Sequence, residues 1–393
     1  MTNLEETLAQ GVKEGKIPHA VVAATNKDGS FTYKHAVGYS ILGNEEPIKE
    51  DAEFLLASQT KLLATIAALQ IVESGKFGLD DDVGNLLPEL AEQQILKGFN
   101  DKNEPILEKR KNAITLRHLL THSCGLAYDA GHPLLIKFQQ QRGHVPNTGV
   151  TVAERFSYPL VLEPGTSWLY GPGIDWAGKL VERVVDQRLE EYMQKNMWDP
   201  LGVESITFYP YENPELSSKV PALTTRSPDG SLVLHTDAFL NTGSLDCFGG
   251  HGAYATMGDY LKVLQSILAN DGKLLKSETV EMMFTPQLPP DVKKALNHFR
   301  QGPYAIMLIG ENDPKIDADW GLGGILLLQD DVGRRKKGTL NWGGMANCFW
   351  IIDREADLAL TFGTQVLPPG DPPTSQMITA VELGVYEKAG VKF

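Results

Sequence analysis

Ser58-Gln59-Thr60-Lys61 leads into a long apolar run, and a serine and a lysine at that spacing can form an acyl-accepting nucleophile. On a helix, residues three apart share a face, with Cβ atoms about 5–6 Å apart. The amine then folds onto the hydroxyl, and a neutral lysine can take the serine's proton without help from a histidine. The first turn of a helix also offers unpaired N–H groups and the positive end of the macrodipole, which favour a developing alkoxide or oxyanion. Among the serines of the chain, only Ser58 has a lysine three residues on. Taken alone, the pair also fits a serine N-cap with a snorkelling lysine one turn later.

Two further fragments carry chemistry. Tyr170 stands in Pro164-Gly165-Thr166-Ser167-Trp168-Leu169-Tyr170-Gly171-Pro172-Gly173, a rigid loop ahead of a helix that can aim a phenol into a cleft. A phenolate held near Lys61 would serve as a base; a tyrosine that merely covers a loop is the plainer alternative. In Asn341-Trp342-Gly343-Gly344-Met345, two glycines ending a short strand let a backbone approach a substrate closely. An N–H there, with that of Ser58, would make an oxyanion hole. A β-bulge with a packed tryptophan is the other reading.

Their order and spacing, Ser-x-x-Lys early, tyrosine near the middle and the glycine pair late, resemble the serine β-lactamase-like superfamily over nearly the whole chain. The segment Leu119-Leu120-Thr121-His122-Ser123-Cys124-Gly125-Leu126 is similar to that family's Leu-Leu-Thr-His-Thr-Ser-Gly-Leu, with Ser123-Cys124 as a local departure. Trp342-Gly343-Gly344 and Tyr170-Gly171-Pro172 look closest to its esterase and acyltransferase members, in particular the fungal lovastatin-pathway acyltransferase (transesterase) branch. The resemblance implies that Ser58 is acylated, that Lys61 and Tyr170 handle protons, and that the N–H groups of Met345 and Ser58 hold the oxyanion. Antibiotic-hydrolysing members carry Lys-Thr-Gly where this chain has Trp342-Gly343-Gly344, and Tyr-x-Asn where position 172 is proline. The cation and the amide that would meet a β-lactam are both missing, so efficient β-lactam hydrolysis is not expected. The lipase pattern Gly-x-Ser-x-Gly does not occur, which disfavours an α/β-hydrolase. His122 and His251 are not recognisable as parts of a Ser-His-Asp triad and read as structural or pocket-wall residues.

The resemblance favours a serine acyltransferase that moves an acyl group from a thioester, on coenzyme A or a carrier domain, to an alcohol or amine of a small secondary metabolite. A carboxylesterase of the same fold is the alternative, since water can discharge the same acyl-enzyme; a binding protein without catalysis is the second. Tyr128, Trp320 and Trp342, with Gly343 and Gly344, are the candidate substrate contacts, their aromatic faces suiting an apolar polycyclic or acyl-chain ligand. Arg334-Arg335-Lys336-Lys337 is a basic cluster at what reads as a hairpin tip. It would either dock a phosphopantetheine phosphate or an acidic carrier domain, or simply blunt a sheet edge.

These groups need a scaffold, and the patterning predicts an α+β one. An amphipathic helix over 2–15 precedes a hairpin, His19 to Thr25 and Phe31 to Gly38, turning at Asn26-Lys27-Asp28-Gly29. A core helix spans 58–74. Helical periodicity dominates 80–250, with helices over 114–121, 174–185 and 189–198, the last stopped by Asp199-Pro200. Short apolar strands follow at 324–329, 338–342, 348–353 and 358–364, then a closing helix over 374–388. The expectation is an antiparallel sheet flanked by helices and built from both termini (1–80 and 250–393), beside a mainly helical lobe (81–249), with the active site in the cleft between them.

Composition sets limits. The 393 residues can bury a large core, and 42% hydrophobic with 22% charged residues is ordinary for a globular chain. A net charge of −14 argues against nucleic acid or an anionic membrane as partner. No secretory signal or membrane-length apolar run is visible. The three cysteines, Cys124, Cys247 and Cys348, are odd in number and widely spaced, which fits free thiols in a cytosolic setting. No zinc-ligand spacing and no phosphate-binding glycine pattern occurs, so neither a metal nor a nucleotide cofactor is expected.

Overall fold

The computed structural model describes residues 3–237, 240–302, 305, 308–311 and 313–393. Its centre is a seven-stranded antiparallel sheet. The strands are β1 (His19–Thr25), β2 (Thr32–Gly38), β3 (Ala318–Trp320), β4 (Ile325–Leu327), β5 (Leu340–Gly344), β6 (Cys348–Asp353) and β7 (Leu358–Gly363). They lie in the order β2-β1-β7-β6-β5-β4-β3, so the N-terminal hairpin docks on the C-terminal strands through β1 against β7. Every residue of β1, β6 and β7 is buried, because helices cover both faces of the sheet. Ala20, Val22 and Ala24 pack with α1 (Leu4–Lys13) and α5 (Pro372–Lys388), while Val21 and Ala23 face the larger core.

That larger core encloses α2 (Thr60–Glu73), in which Thr60 to Leu69 and Ile71 are all buried. A helix apolar all round has to be central, since no face of it suits water. Each of its buried leucines and isoleucines contributes about 1.5–3 kcal/mol. α3 (Gly173–Val185) packs across α2, and α4 (Met257–Ala269) lies on the sheet against β1 and β7. Among the described residues no helix is long and apolar enough to cross a membrane.

The middle of the chain holds more strand than its periodicity suggests. Gln94–Phe99 pairs with Pro105–Lys109, and Thr224–Arg226 pairs with Leu232–Leu234 and, in parallel, with Val366–Leu367. These strands are short, and Pro105–Lys109 is exposed throughout, so they leave little hydrophobic alternation to read. β3 is likewise too short to show a period. Asp199-Pro200 does not stop its helix. A π-type turn over Gln194–Trp198, with the Asp199 N–H reaching Gln194 O, resets the ladder. Pro200, which has no N–H to offer, then enters as in a new first turn that ends at left-handed Gly202.

Candidate active site

Ser58 does not sit in the α-helix but in the 3-10 turn Ala57–Gln59 just before it. The approach is held by backbone: Phe54–Leu55 pairs with Tyr254–Ala255, the Leu56 N–H donates to Ala253 O at 3.0 Å, and the Ala253 N–H donates to Thr60 Oγ1 at 3.1 Å. Between these holds Ala57 is forced to φ 45°, a left-handed conformation that costs an alanine free energy. The turn lifts Ser58 toward a cavity of about 240 Å³ while α2 carries Lys61 beneath it.

Lys61 is fully buried, and its Nζ donates in three directions: to Ser58 Oγ at 3.2 Å, to the Tyr128 hydroxyl at 3.2 Å and to Gly250 O at 2.7 Å. The Tyr170 hydroxyl donates to Ser58 Oγ at 2.7 Å. The Leu119–Leu126 segment positions Tyr170. The Leu169 N–H donates to His122 O and the Gly165 N–H to Ser123 O, both at 2.8 Å. A Cβ on Gly171 would lie 2.4 Å from Leu126 O, and one on Gly173 2.6 Å from Leu119 O, so the loop lies flat on that segment only as glycine. His122 backs the phenol ring at 4.7 Å between centroids. Burial, then the Lys61 charge, holds that imidazole well below its ordinary pKa, so it serves as a neutral packing group.

The fourth wall is the end of β5. A Cβ on Gly344 would stand 2.0 Å from Leu56 O, so only glycine lets this strand press against the Ser58 turn. Met345 follows as the first residue of the β5–β6 turn, which closes through the Asn347 N–H to Gly344 O at 2.7 Å. Neither the Ser58 nor the Met345 N–H is spent in a turn or loop hydrogen bond among the described residues, and both residues line the cavity. Tyr128, Trp342, Gly343 and Gly344 line it too.

Trp320 does not. It is fully buried behind Trp342, 4.9 Å away edge-on, with its indole N–H donated to Leu120 O. It supports the wall and does not contact the cavity, because β3 lies two strands beyond β5 at the sheet edge. Half of the basic cluster is not a free patch, although Lys336 is half-buried and Lys337 exposed. Arg335 is 1% exposed and paired with Glu382 at 2.6 Å, and Arg334 is engaged by Asp331 at 3.1 Å and Glu382 at 3.5 Å. A buried charge needs compensation, and for Arg335 α5 supplies a carboxylate.

Tyr128 does more than present an aromatic face, since it accepts from Lys61. Burial, with Asp175 and Tyr170 beside it, pushes its phenol well above the ordinary range, so it stays protonated. His251 lines the cavity as a pocket-wall residue, and behind it stands Asp175, a partner the sequence reading missed. The available signal was Gly249-Gly250-His251-Gly252, a glycine run that permits close backbone approach.

A seven-stranded sheet with flanking helices and a Ser-Lys-Tyr cluster against the end of β5 defines the class. The chain belongs to the Beta-lactamase family, which it matches over residues 4–380. It is 39% identical over 373 residues to the lovastatin esterase of Penicillium rubens, covering 94% of each chain. It is 38% identical over 392 residues to the monacolin J acid methylbutanoyltransferase of Aspergillus terreus, covering 98% of this chain and 95% of that one. Among solved structures it superposes on the LovD6 mutant of simvastatin synthase (LovD) from Aspergillus terreus with a TM-score of 0.92 at 37% identity, over 98% of this chain and 96% of the other. The chain is an enzyme of the serine β-lactamase-like fold. That sets aside the reading as a binding protein without chemistry.

Proposed function

We propose that Ser58 is the acyl-accepting nucleophile and that the enzyme moves an acyl group from a thioester to the hydroxyl of a small apolar metabolite. The observation that carries this is the Ser58 Oγ, held at once by Tyr170 at 2.7 Å and Lys61 at 3.2 Å. In the first half-reaction the Tyr170–Lys61 pair acts with one of its own protons already released, so that it takes the Oγ proton as Oγ attacks the thioester carbonyl. The oxyanion is met by the Ser58 and Met345 N–H groups. The C–S bond breaks and the thiol leaves with the proton. In the second, the acceptor hydroxyl attacks the acyl-serine, gives its proton to the same pair, and Ser58 Oγ recovers it. Tyr128 holds Lys61 in place and stays neutral. We also retain, as proposals, the division into 1–80 with 250–393 and 81–249, and a coenzyme A or carrier-bound donor.

The acceptor class is supported by the cavity's apolar lining, with Trp342, Ile309, Leu240 and Pro369 around Ser58, and by relatives named for monacolin J acid and lovastatin. Hydrolysis is the second reading, favoured by the relative named as an esterase. The deciding experiment is intact-protein mass spectrometry after mixing with a short branched acyl thioester, followed by addition of monacolin J acid or buffer alone. The expected result is an adduct on the wild type, absent in Ser58→Ala and discharged faster by the alcohol. Equal discharge by water would make the enzyme an esterase, and an adduct that persists in Ser58→Ala would remove the nucleophile assignment.

A further inference from the structure

Lys61 is steered by a carbonyl, and that carbonyl is itself held from both sides by one buried carboxylate. Asp175 Oδ1 accepts the Gly250 N–H at 2.9 Å and faces His251 Nδ1 at 3.0 Å, so the two holds bracket the Gly250 C=O that takes the Lys61 proton at 2.7 Å. The approach is as tight as backbone allows, since a Cβ on Gly250 would stand 2.2 Å from Asp175 Oδ2. His251 is locked in turn. Arg155 NH1 stands 3.2 Å from its Nε2 and can only donate, so Nε2 carries the lone pair and Nδ1 carries the hydrogen given to Asp175. The Arg155 guanidinium is anchored on Gly149 O and Asn241 Oδ1, and it lies over the Phe248 ring at 3.9 Å. Asp175 belongs to the first turn of α3, five residues after Tyr170, so one helix start controls both partners of Ser58 Oγ.

We propose that Asp175, backed by His251 and Arg155, is a positioning group that aims the Gly250 carbonyl and so fixes Lys61 against Ser58. The inference rests on Ser58 being the nucleophile. None of the three residues needs to touch the reacting atoms. The charged and titratable groups facing this set are Lys61 from α2, Tyr128, Asp129 and Tyr158 from the loops over the cavity floor, and Tyr170 ahead of α3. Asp175 interacts electrostatically with Lys61, and it ionises more readily than usual: burial works against it, but His251, Lys61 and the Gly250 N–H outweigh burial. Removing that charge changes the electrostatic field around Ser58 and its partners, so the acylation pH profile should move.

The test measures acylation by an activated butyrate ester across pH for wild type, Asp175→Asn, His251→Gln and Arg155→Gln, with folding checked by thermal melting. Asp175→Asn keeps the shape and an acceptor at the Oδ1 site, but loses the charge that tightens both bonds. Its expected outcome is a fall in kcat of about 100-fold, as for an active-site group misplaced by about 1 Å, with KM within twofold and the pH profile shifted. His251→Gln is expected to fall about tenfold in kcat with the same split. Should Asp175→Asn fail to fold, His251→Gln and Arg155→Gln carry the same readouts. Rates within twofold of wild type in folded variants, or losses shared by KM with an unmoved pH profile, would overturn the proposal. A wild type that forms no Ser58 adduct would sink the nucleophile assignment itself, whereas an acylated wild type with indifferent variants would sink only this inference.

Discussion

The Tyr170 hydroxyl lies 2.7 Å from Ser58 Oγ although 112 residues separate them, and the Lys61 amine approaches the same oxygen from the other side at 3.2 Å. With both partners on one oxygen, neither replaces the other. Tyr170→Phe keeps the ring on His122 and removes only the hydroxyl; Lys61→Ala removes the amine. Each is expected to slow Ser58 acylation by about 10²–10⁴-fold, the range of a lost general base. Single-turnover mass spectrometry checks this, and a Tyr170→Phe rate equal to wild type would reassign the base.

Gly344 decides how closely β5 reaches the Ser58 turn. With its notional Cβ 2.0 Å from a backbone oxygen, Gly344→Ala must push the strand or the turn away. The expected cost is about 1–3 kcal/mol of stability from overpacking and about 10²–10³-fold in kcat from the displaced Met345 N–H. Chemical denaturation and steady-state kinetics measure the two, and an undiminished kcat would argue against Met345 as an oxyanion donor.

Glu53 makes stability depend on pH away from the site. It is fully buried just before the Phe54–Leu55 strand. Burial raises its carboxyl to about 8, with Asp259 and Asp51 pushing the same way against Ser205 and Lys219. The unfolded side chain ionises above about 4.5 while the folded one keeps its proton to about 8, so stability declines across that window. Glu53→Gln keeps the shape without a charge to ionise, and its melting temperature should fall less between pH 5 and pH 8. Parallel melting curves for the two proteins would refute this.

Arg335 and Glu382 join the hairpin after β4 to α5 by a buried ion pair, Nε to Oε1 at 2.7 Å. Removing Glu382 strands the Arg335 charge and removing Arg335 leaves Glu382 only Arg334 at 3.5 Å; breaking such a pair costs about 3–5 kcal/mol, whereas replacing both by apolar residues costs much less. Arg335→Met and Glu382→Leu alone should each lower the denaturation midpoint strongly, and the double variant should recover most of the loss. Changing Arg334 to Lys337 together to serine should therefore reduce stability, with KM for a thioester donor unchanged.

The sequence by itself marked the candidate residues for the chemistry and determined most of the scaffold. Ser58 and Lys61 are three residues apart, so local geometry brings them together. The β1–β2 turn, the apolar α2 and the late strands each declare themselves by turn residues or by runs too apolar for water. Gly343 and Gly344 were legible as a site of close approach, although what they approach was not. Tertiary structure alone decided the rest. Ser58 lies in a 3-10 turn because pairing with Ala253–Ala255 and the pressure of β5 fix its backbone, neither of which is local. Trp320 fell behind the wall because sheet order places β3 at the edge. Arg335 became a core residue because α5 folds back to offer Glu382. The Asp175–Gly250 hold joins residues 75 positions apart. Such pairings depend on burial, where desolvation makes a distant partner obligatory, and burial is a property of the packed chain that no window of sequence contains.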